Sequence, residues 1–271
     1  MTECFTVSGG NQSTNVTTTQ LTLVQIDNYG PWTVTPAPRR EVDLQTLQSR
    51  LYADLSQYIG NRDGYAFFTR FDNMIAVTNG LDESDHARLQ ETISNRYPVT
   101  VSLSTASDPN PVTALERATK QLQQAGSAQD GSRREILRLD DGSPVQDDGS
   151  EVHIAHFDVN DATGQYTDEI NAFDTFIEIE QAYASLMRYM RTHADSLSFF
   201  VGGDNIIAVC PDLAPETYQS AIDHVEQETN VALKVGVGIG RRAHPAGMAA
   251  KHALEACRSN GSDVEFARPT A

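Results

Sequence analysis

The chain has 271 residues, with 37 Asp plus Glu against 20 Lys plus Arg, and a formal net charge of -17. No apolar run approaches the roughly 18 residues that cross a bilayer, and no basic footprint of the kind that neutralises phosphates stands out. The sequence therefore excludes a membrane partner and a nucleic-acid partner. An acidic surface stays hydrated in concentrated salt, where the Debye length falls to about 3 Å near 1 M, so the composition points to a very salty cytoplasm.

Residues 1–20 lack the basic start and apolar middle of a secretory signal. They are rich in Ser, Thr, Gly, Asn and Gln and are expected to form a polar, flexible tail on a cytoplasmic protein. The three cysteines, Cys4, Cys210 and Cys257, are odd in number and far apart. That spacing excludes a disulfide framework and a CxxC zinc knuckle.

The first element is the β-rich run Leu21-Thr22-Leu23-Val24-Gln25-Ile26, closed by Asp27 and Asn28. A helix follows with Leu44, Leu47, Leu51, Leu55 and Tyr58 at a three-to-four residue rhythm. Residues 65–77 read as a hairpin with Asp72-Asn73 at its tip. Next come a helix near 87–96, a strand over 99–106 and a helix near 112–124. A polar, Gly-containing joint lies near 140–150.

The same order then repeats. Val152-His153-Ile154-Ala155-His156-Phe157 ends at Asp158, and a helix carries Phe173, Phe176, Ile177, Tyr183, Leu186, Met187 and Met190. A hairpin over 197–209 presents Gly202-Gly203-Asp204-Asn205. A helix near 216–228, a strand over 232–240 and a helix near 246–258 close the copy. Repetition of one supersecondary order is the strongest signal in the chain. Each copy reads β-α-β-β-α-β plus a closing helix, an α+β, ferredoxin-like split βαβ pattern. The expected domains are 21–145 and 146–271.

Within each copy the strand-end Asp and the hairpin Asp are expected at one end of one sheet: Asp27 with Asp72, and Asp158 with Asp204. Two close carboxylates are unfavourable unless one is protonated or a cation lies between them. Magnesium is the hard, oxygen-loving cation that accompanies phosphates. A strand-end Asp is also a common turn or helix cap, and a duplicated fold would duplicate its caps. Asn28-Tyr29-Gly30-Pro31-Trp32 places backbone amides beside Asp27, a cradle for phosphate or an ordinary aromatic turn. Arg39 and Arg40 sit within reach of phosphate, though an exposed basic pair is commonly inert. His153 and His156 face opposite sides of their strand, whereas His156 and Asp158 share one. The chain has no P-loop, no Gly-x-Ser-x-Gly and no zinc-deaminase signature.

Six blocks in order resemble archaeal GTP cyclohydrolase III. They are residues 24–36 continued by Pro38-Arg39-Arg40-Glu41, then Thr69-Arg70-Phe71-Asp72-Asn73, Asn95-Arg96-Tyr97-Pro98 and Gly126-Ser127-Ala128-Gln129-Asp130. Gly202-Gly203-Asp204-Asn205 and Gly236-Val237-Gly238-Ile239-Gly240-Arg241 complete the set. The resemblance implies palm domains like those of class III nucleotide cyclases and GGDEF diguanylate cyclases. It also implies hydrolytic opening of the guanine imidazole ring of GTP at C8 with the formyl group retained. Cleavage of the triphosphate to a monophosphate with release of two phosphates goes with it. The product feeds flavin and deazaflavin synthesis.

Magnesium, more than one ion per site, potassium as activator and a homo-oligomer are further implications. On this reading Asp27, Asp72, Asp158 and Asp204 are catalytic and hold metal, and Asn28, Tyr29, Gly30, Arg70, Asn73, Gly202 and Gly203 contact nucleotide. The first copy, with its Asn-Tyr-Gly-Pro-Trp run, is the favoured nucleotide site. Asn205 stands where GGDEF proteins have Glu, so the metal site departs from theirs. A palm-type nucleotidyl cyclase and a non-enzymatic nucleotide-binding module are the rival readings.

Overall fold

The computed structural model describes residues 17–140, 150–160 and 169–269. Its elements run in the expected order with three additions, a short helix and two edge strands. The first unit holds β1 (Thr19–Ile26), α1 (Tyr29–Val34), α2 (Glu41–Gly60), β2 (Tyr65–Phe68) and β3 (Asn73–Val77). It continues through α3 (Glu83–Arg96), β4 (Val101–Asp108), α4 (Pro111–Gln124) and β5 (Leu137–Leu139). The second holds β6 (Val152–Val159), α5 (Ala172–His193), β7 (Leu197–Gly202), β8 (Asn205–Cys210), α6 (Pro215–Thr229), β9 (Leu233–Gly240), α7 (Ala243–Asn260) and β10 (Val264–Ala267). The sheets are ordered β2-β3-β1-β4-β5 and β10-β9-β6-β8-β7. The short helix α1 and the edge strands β5 and β10, each strand paired in parallel with its neighbour, are the elements the sequence pattern did not show.

Local chemistry explains most of these elements. In α2, Leu47, Leu51, Leu55 and Ile59 recur on one face and are buried, while Glu41 and Asp43 complement the dipole of its first turn. Asp82 and Asp85 form a reciprocal capping box at the start of α3. Asn110 accepts from the Val112 and Thr113 amides ahead of α4. In α5 the inward face is Ile179, Ala182, Leu186 and Met190. Phe173, Phe176, Ile177 and Met187, expected to face the core, are exposed, Phe173 to 69%.

One boundary differs from expectation. Thr19 and Gln20 are buried members of β1, and the Thr18 amide donates to Glu151 O at 3.1 Å, so residues 17–20 belong to the sheet rather than to a tail. Residues 1–16 and the expected boundary at 145 lie outside the described residues.

The strand pairings also fix which residues of the two copies correspond. Ile26 lies opposite Val101, and Val159 opposite Leu233. The Asp27 amide donates to Thr100 O at 2.9 Å, and the Asn160 amide donates to Ala232 O at 2.8 Å. Asn160 is therefore the counterpart of Asp27, and Asp158 stands where the first unit has Gln25. The expected match of Asp27 with Asp158 is out by two residues.

The units pack through β2 and β7, where Phe67 stacks on its own counterpart Phe199 with centroids 4.3 Å apart and planes 2° from parallel. A residue meeting its counterpart marks a two-fold axis. α4 and α7 lie on the same side of their sheets, and their apolar residues join those of both sheets in one shared core. α7 lies very close on β9: a Cβ at Gly238 would come 1.8 Å from Ala246 O, and one at Gly236 would come 2.1 Å from Ala250 O. Those glycines set the helix-to-strand distance.

Candidate functional site

The end of β1, the β2–β3 turn, α1 and the loop over 126–135 converge on one side of the first unit. The Ile26 amide donates to Asp72 O at 2.9 Å, which seats Asp72 against the last residue of β1. Asp72 Oδ2 accepts from Arg70 Nη2 at 3.0 Å, and the Arg70 side chain is 80% exposed. Asp72 Oδ1 is buried and has no hydrogen-bond partner among the described residues. Phe71 takes a left-handed conformation, φ 61°, to make this turn. Its counterpart Gly203 does so at φ 66°.

Asp27 is arranged differently. Its carboxylate accepts from Thr100 Oγ1 at 2.8 Å, from Ser102 Oγ at 2.6 Å and from the Glu135 amide at 2.8 Å. Arg133 Nη1 lies 3.8 Å from Asp27 Oδ1, with both side chains buried. Asp27 thus faces β4 and the loop before β5, and holds that loop in place. A carboxylate has about four acceptor sites, and three are taken.

Arg133 Nη1 also donates to Gln25 Oε1 at 2.9 Å, and Gln25 Nε2 donates to Asn73 Oδ1 at 3.0 Å. This chain fixes both amides and leaves the Asn73 Nδ2 hydrogens turned away from Gln25. Sequence reasoning missed Gln25, Arg133 and the Glu135 amide. The only signal is the aperiodic polar stretch 125–135, which holds the Gly126–Asp130 block of the family resemblance.

In the expected cradle, the Asn28 amide donates to Ala128 O at 2.7 Å and the Trp32 amide to Asn28 O at 2.9 Å. Pro31 has no amide hydrogen, so Tyr29 and Gly30, in the first turn of α1, supply the remaining donors. A Cβ at Gly30 would come 2.3 Å from Gln129 Oε1. Tyr29 stacks on Trp32, and its hydroxyl accepts from Gln48 Nε2 at 2.8 Å. Burial raises the Tyr29 pKa above its ordinary value. Arg39 lies over the Trp32 ring at 3.7 Å, and Arg40 pairs with Asp43 at 2.8 Å, so neither is aimed at the site.

Beside these groups is a cavity of about 510 Å³, within the range of small-molecule sites. Leu23, Ile75 and Leu122 make its apolar surface, and Gln25, Asn73 and Ser127 contribute polar groups.

The second unit builds the equivalent end differently. Asp158 Oδ2 accepts from Arg258 Nη2 at 2.6 Å. Burial raises the Asp158 pKa, Arg258 opposes that, and nearby Asp204 adds to it. Asp204 Oδ1 accepts from Asn205 Nδ2 at 3.0 Å, and Asn205 Oδ1 accepts from His156 Nε2 at 2.7 Å. Burial lowers the His156 pKa. Gly202, φ 108°, and Gly203 make the turn. The structure thus brings Asp158 and Asp204 together. It does not place Asp158 at the Asp27 position, and it gives Asp158 a guanidinium counter-ion from its own chain. No cluster of three or more His, Cys, Asp or Glu residues able to hold a metal occurs among the described residues.

Two palm-like α+β units, each with acidic residues at one sheet end, define a tandem palm-domain protein. The family model described as GTP cyclohydrolase III matches residues 21–267. GTP cyclohydrolase III of Natronomonas pharaonis is 69% identical over 253 residues, covering 93% of this chain and 100% of that protein. GTP cyclohydrolase III 1 of Halobacterium salinarum is 65% identical over 253 residues, 92% of this chain and 98% of that one. The GGEEF domain of a diguanylate cyclase from Vibrio cholerae aligns at 13% identity and TM-score 0.35, over 45% of this chain and 84% of that one. The chain belongs to the GTP cyclohydrolase III family.

Proposed function

We propose that the protein hydrolyses GTP, opening the guanine imidazole ring at C8 while keeping the formyl group and trimming the triphosphate to a monophosphate. It does so as a cytoplasmic, homo-oligomeric enzyme. The first unit carries the reaction. The observation that supports this most is Asp72 Oδ1, a buried acceptor without a partner, one residue from Asn73 on the cavity wall. A buried carboxylate oxygen in this state calls for a cation.

The donor set fits magnesium. Asp72 would hold it, with the one open acceptor position of Asp27. When bound, such an ion neutralises phosphate charge and lowers the pKa of a coordinated water. Potassium as activator remains part of the proposal.

The chain's own groups do the rest. Arg70, exposed beside Asp72, meets phosphate, and the Tyr29 and Gly30 amides add donors at the same end. Leu23, Ile75 and Leu122 receive the planar base and exclude water from its faces. Asn73 donates from Nδ2 to an acceptor on the ring, in an orientation held by Gln25 and Arg133. The second unit's Asp158, Asp204, Gly202 and Gly203 take no part in this chemistry.

The test is the product formed from GTP and magnesium in concentrated KCl, read by chromatography with mass detection and a phosphate assay. A ring-opened formylamino monophosphate with two phosphates released per GTP is expected. A cyclic or dimeric nucleotide with pyrophosphate would make the protein a cyclase instead, and no turnover would leave a binding module.

A further inference from the structure

A chain of net charge -17 leaves one apolar stripe in the open. The side of α5 turned away from its buried face carries Phe173, Ile177, Ala184 and Met187, all exposed. Phe176, 51% exposed, flanks them, its ring centroid 6.3 Å from that of Phe173. Positions 173, 177, 180, 184, 187 and 191 alternate steps of four and three, the spacing of a seam between two helices. Contiguous apolar exposure of this kind marks an interaction face.

The charge along the helix selects the partner. Asp174, Glu178 and Glu180 occupy the first half of α5, and Arg188 and Arg191 the second. Two α5 helices laid antiparallel set the acidic half of each against the basic half of the other, whereas a parallel pair sets like on like. The stripe complements itself in the same arrangement. With a two-fold axis at the height of Ala182, Phe173 faces Arg191 of the second copy and Ile177 faces Met187 of the second copy. Glu180 faces the small Ala184 there, which leaves its carboxylate a way to the rim. Arg191 Nη2 holds Glu116 at 2.8 Å along one edge of the guanidinium, and the planar face is the part that meets an aromatic ring.

We infer that the outward face of α5 docks on the same face of a second copy of this chain, antiparallel across a two-fold axis. The inference rests on the homo-oligomeric reading and names the surface that makes the oligomer. Concentrated salt screens the repulsion between two acidic chains and leaves the apolar contact in place. The join also reaches the catalytic unit. A cavity of about 460 Å³ is lined by Tyr183, Met187 and Arg191 of α5 and by Thr69 and Arg70 of the hairpin that carries Asp72. Phe176 lies on the Met187 side of the seam, so Phe176 of the second copy covers this cavity.

The test is the mass of the full-length protein in concentrated KCl, read by light scattering without nucleotide. The wild type is expected as an even-numbered assembly. Phe173→Asp and Ile177→Glu should each halve its mass while keeping the wild-type circular dichroism spectrum, since both side chains are exposed. Register is read with Ile177→Cys and Met187→Cys, each in a Cys4→Ser background because Cys210 and Cys257 are buried. The two variants co-expressed should crosslink through a short bis-maleimide. Neither should crosslink alone, because like positions lie about 15 Å apart along the seam. A monomeric wild type overturns this proposal together with the homo-oligomeric reading. An oligomer whose mass neither substitution changes, or one that crosslinks with a single cysteine variant alone, overturns this proposal only. Because mass is read without turnover, failure here is distinct from failure of the ring-opening assay.

Discussion

Asp27 gathers two hydroxyls, the Glu135 amide and the buried Arg133 around one carboxylate, whereas Asp72 keeps one oxygen unpartnered. Asp27→Asn leaves Arg133 buried without its anion. It is expected to cost about 2–3 kcal/mol, seen as a melting transition roughly 5–10 °C lower. Asp72→Asn has no such network to break. It should melt like the wild type and lose turnover on the order of 100-fold.

Asp158→Asn should keep kcat/KM for GTP within about threefold, because Asp158 stands at the Gln25 position. A loss as large as that of Asp72→Asn would show that both units are catalytic. His86, His153 and His156 each have a pKa lowered by burial. The unfolded chain takes up protons near about 6.5 and the folded chain resists them. Stability is therefore complete above that value and declines as pH falls below it. Melting temperature is expected to drop between pH 7.5 and 5.5, and the slope to be shallower in His86→Gln.

At the scale of elements, the packing of α7 on β9 depends on side chains that are missing. Gly238→Ala would drive a methyl group into the Ala246 carbonyl. It should destabilise the second unit by about 1–3 kcal/mol, read as a lowered midpoint of unfolding. The repeated order of strands and helices was legible in the sequence because each element carries its own period and caps. The register between the copies was not. A strand shifted by two residues keeps every side chain on its face, so the apolar pattern reads the same in both registers. Only the hydrogen bonds to β4 and β9 separate Asn160 from Asp158 as the partner of Asp27. The outward face of α5 escaped for a related reason: seven apolar positions leave more than one stripe to choose. Gln25 and Arg133 were invisible because their partners lie far away in sequence, across a loop without periodicity.

For the whole molecule, 37 acidic residues against 20 basic ones set a repulsion that salt must screen. The melting temperature should climb steeply between dilute buffer and molar KCl. A flat response would separate the composition from any need for salt. The contact of Phe67 with Phe199 gives the chain the geometry of a symmetric dimer, yet the halves are joined. In a dimer of identical chains every substitution appears twice, so a change useful at one site is forced on the other. Joining the halves lifts that constraint. Gln25 can remain beside Arg133 while its counterpart becomes an aspartate with an arginine of its own, and neither change is copied across the axis. One half can then change its surface while the other keeps its own.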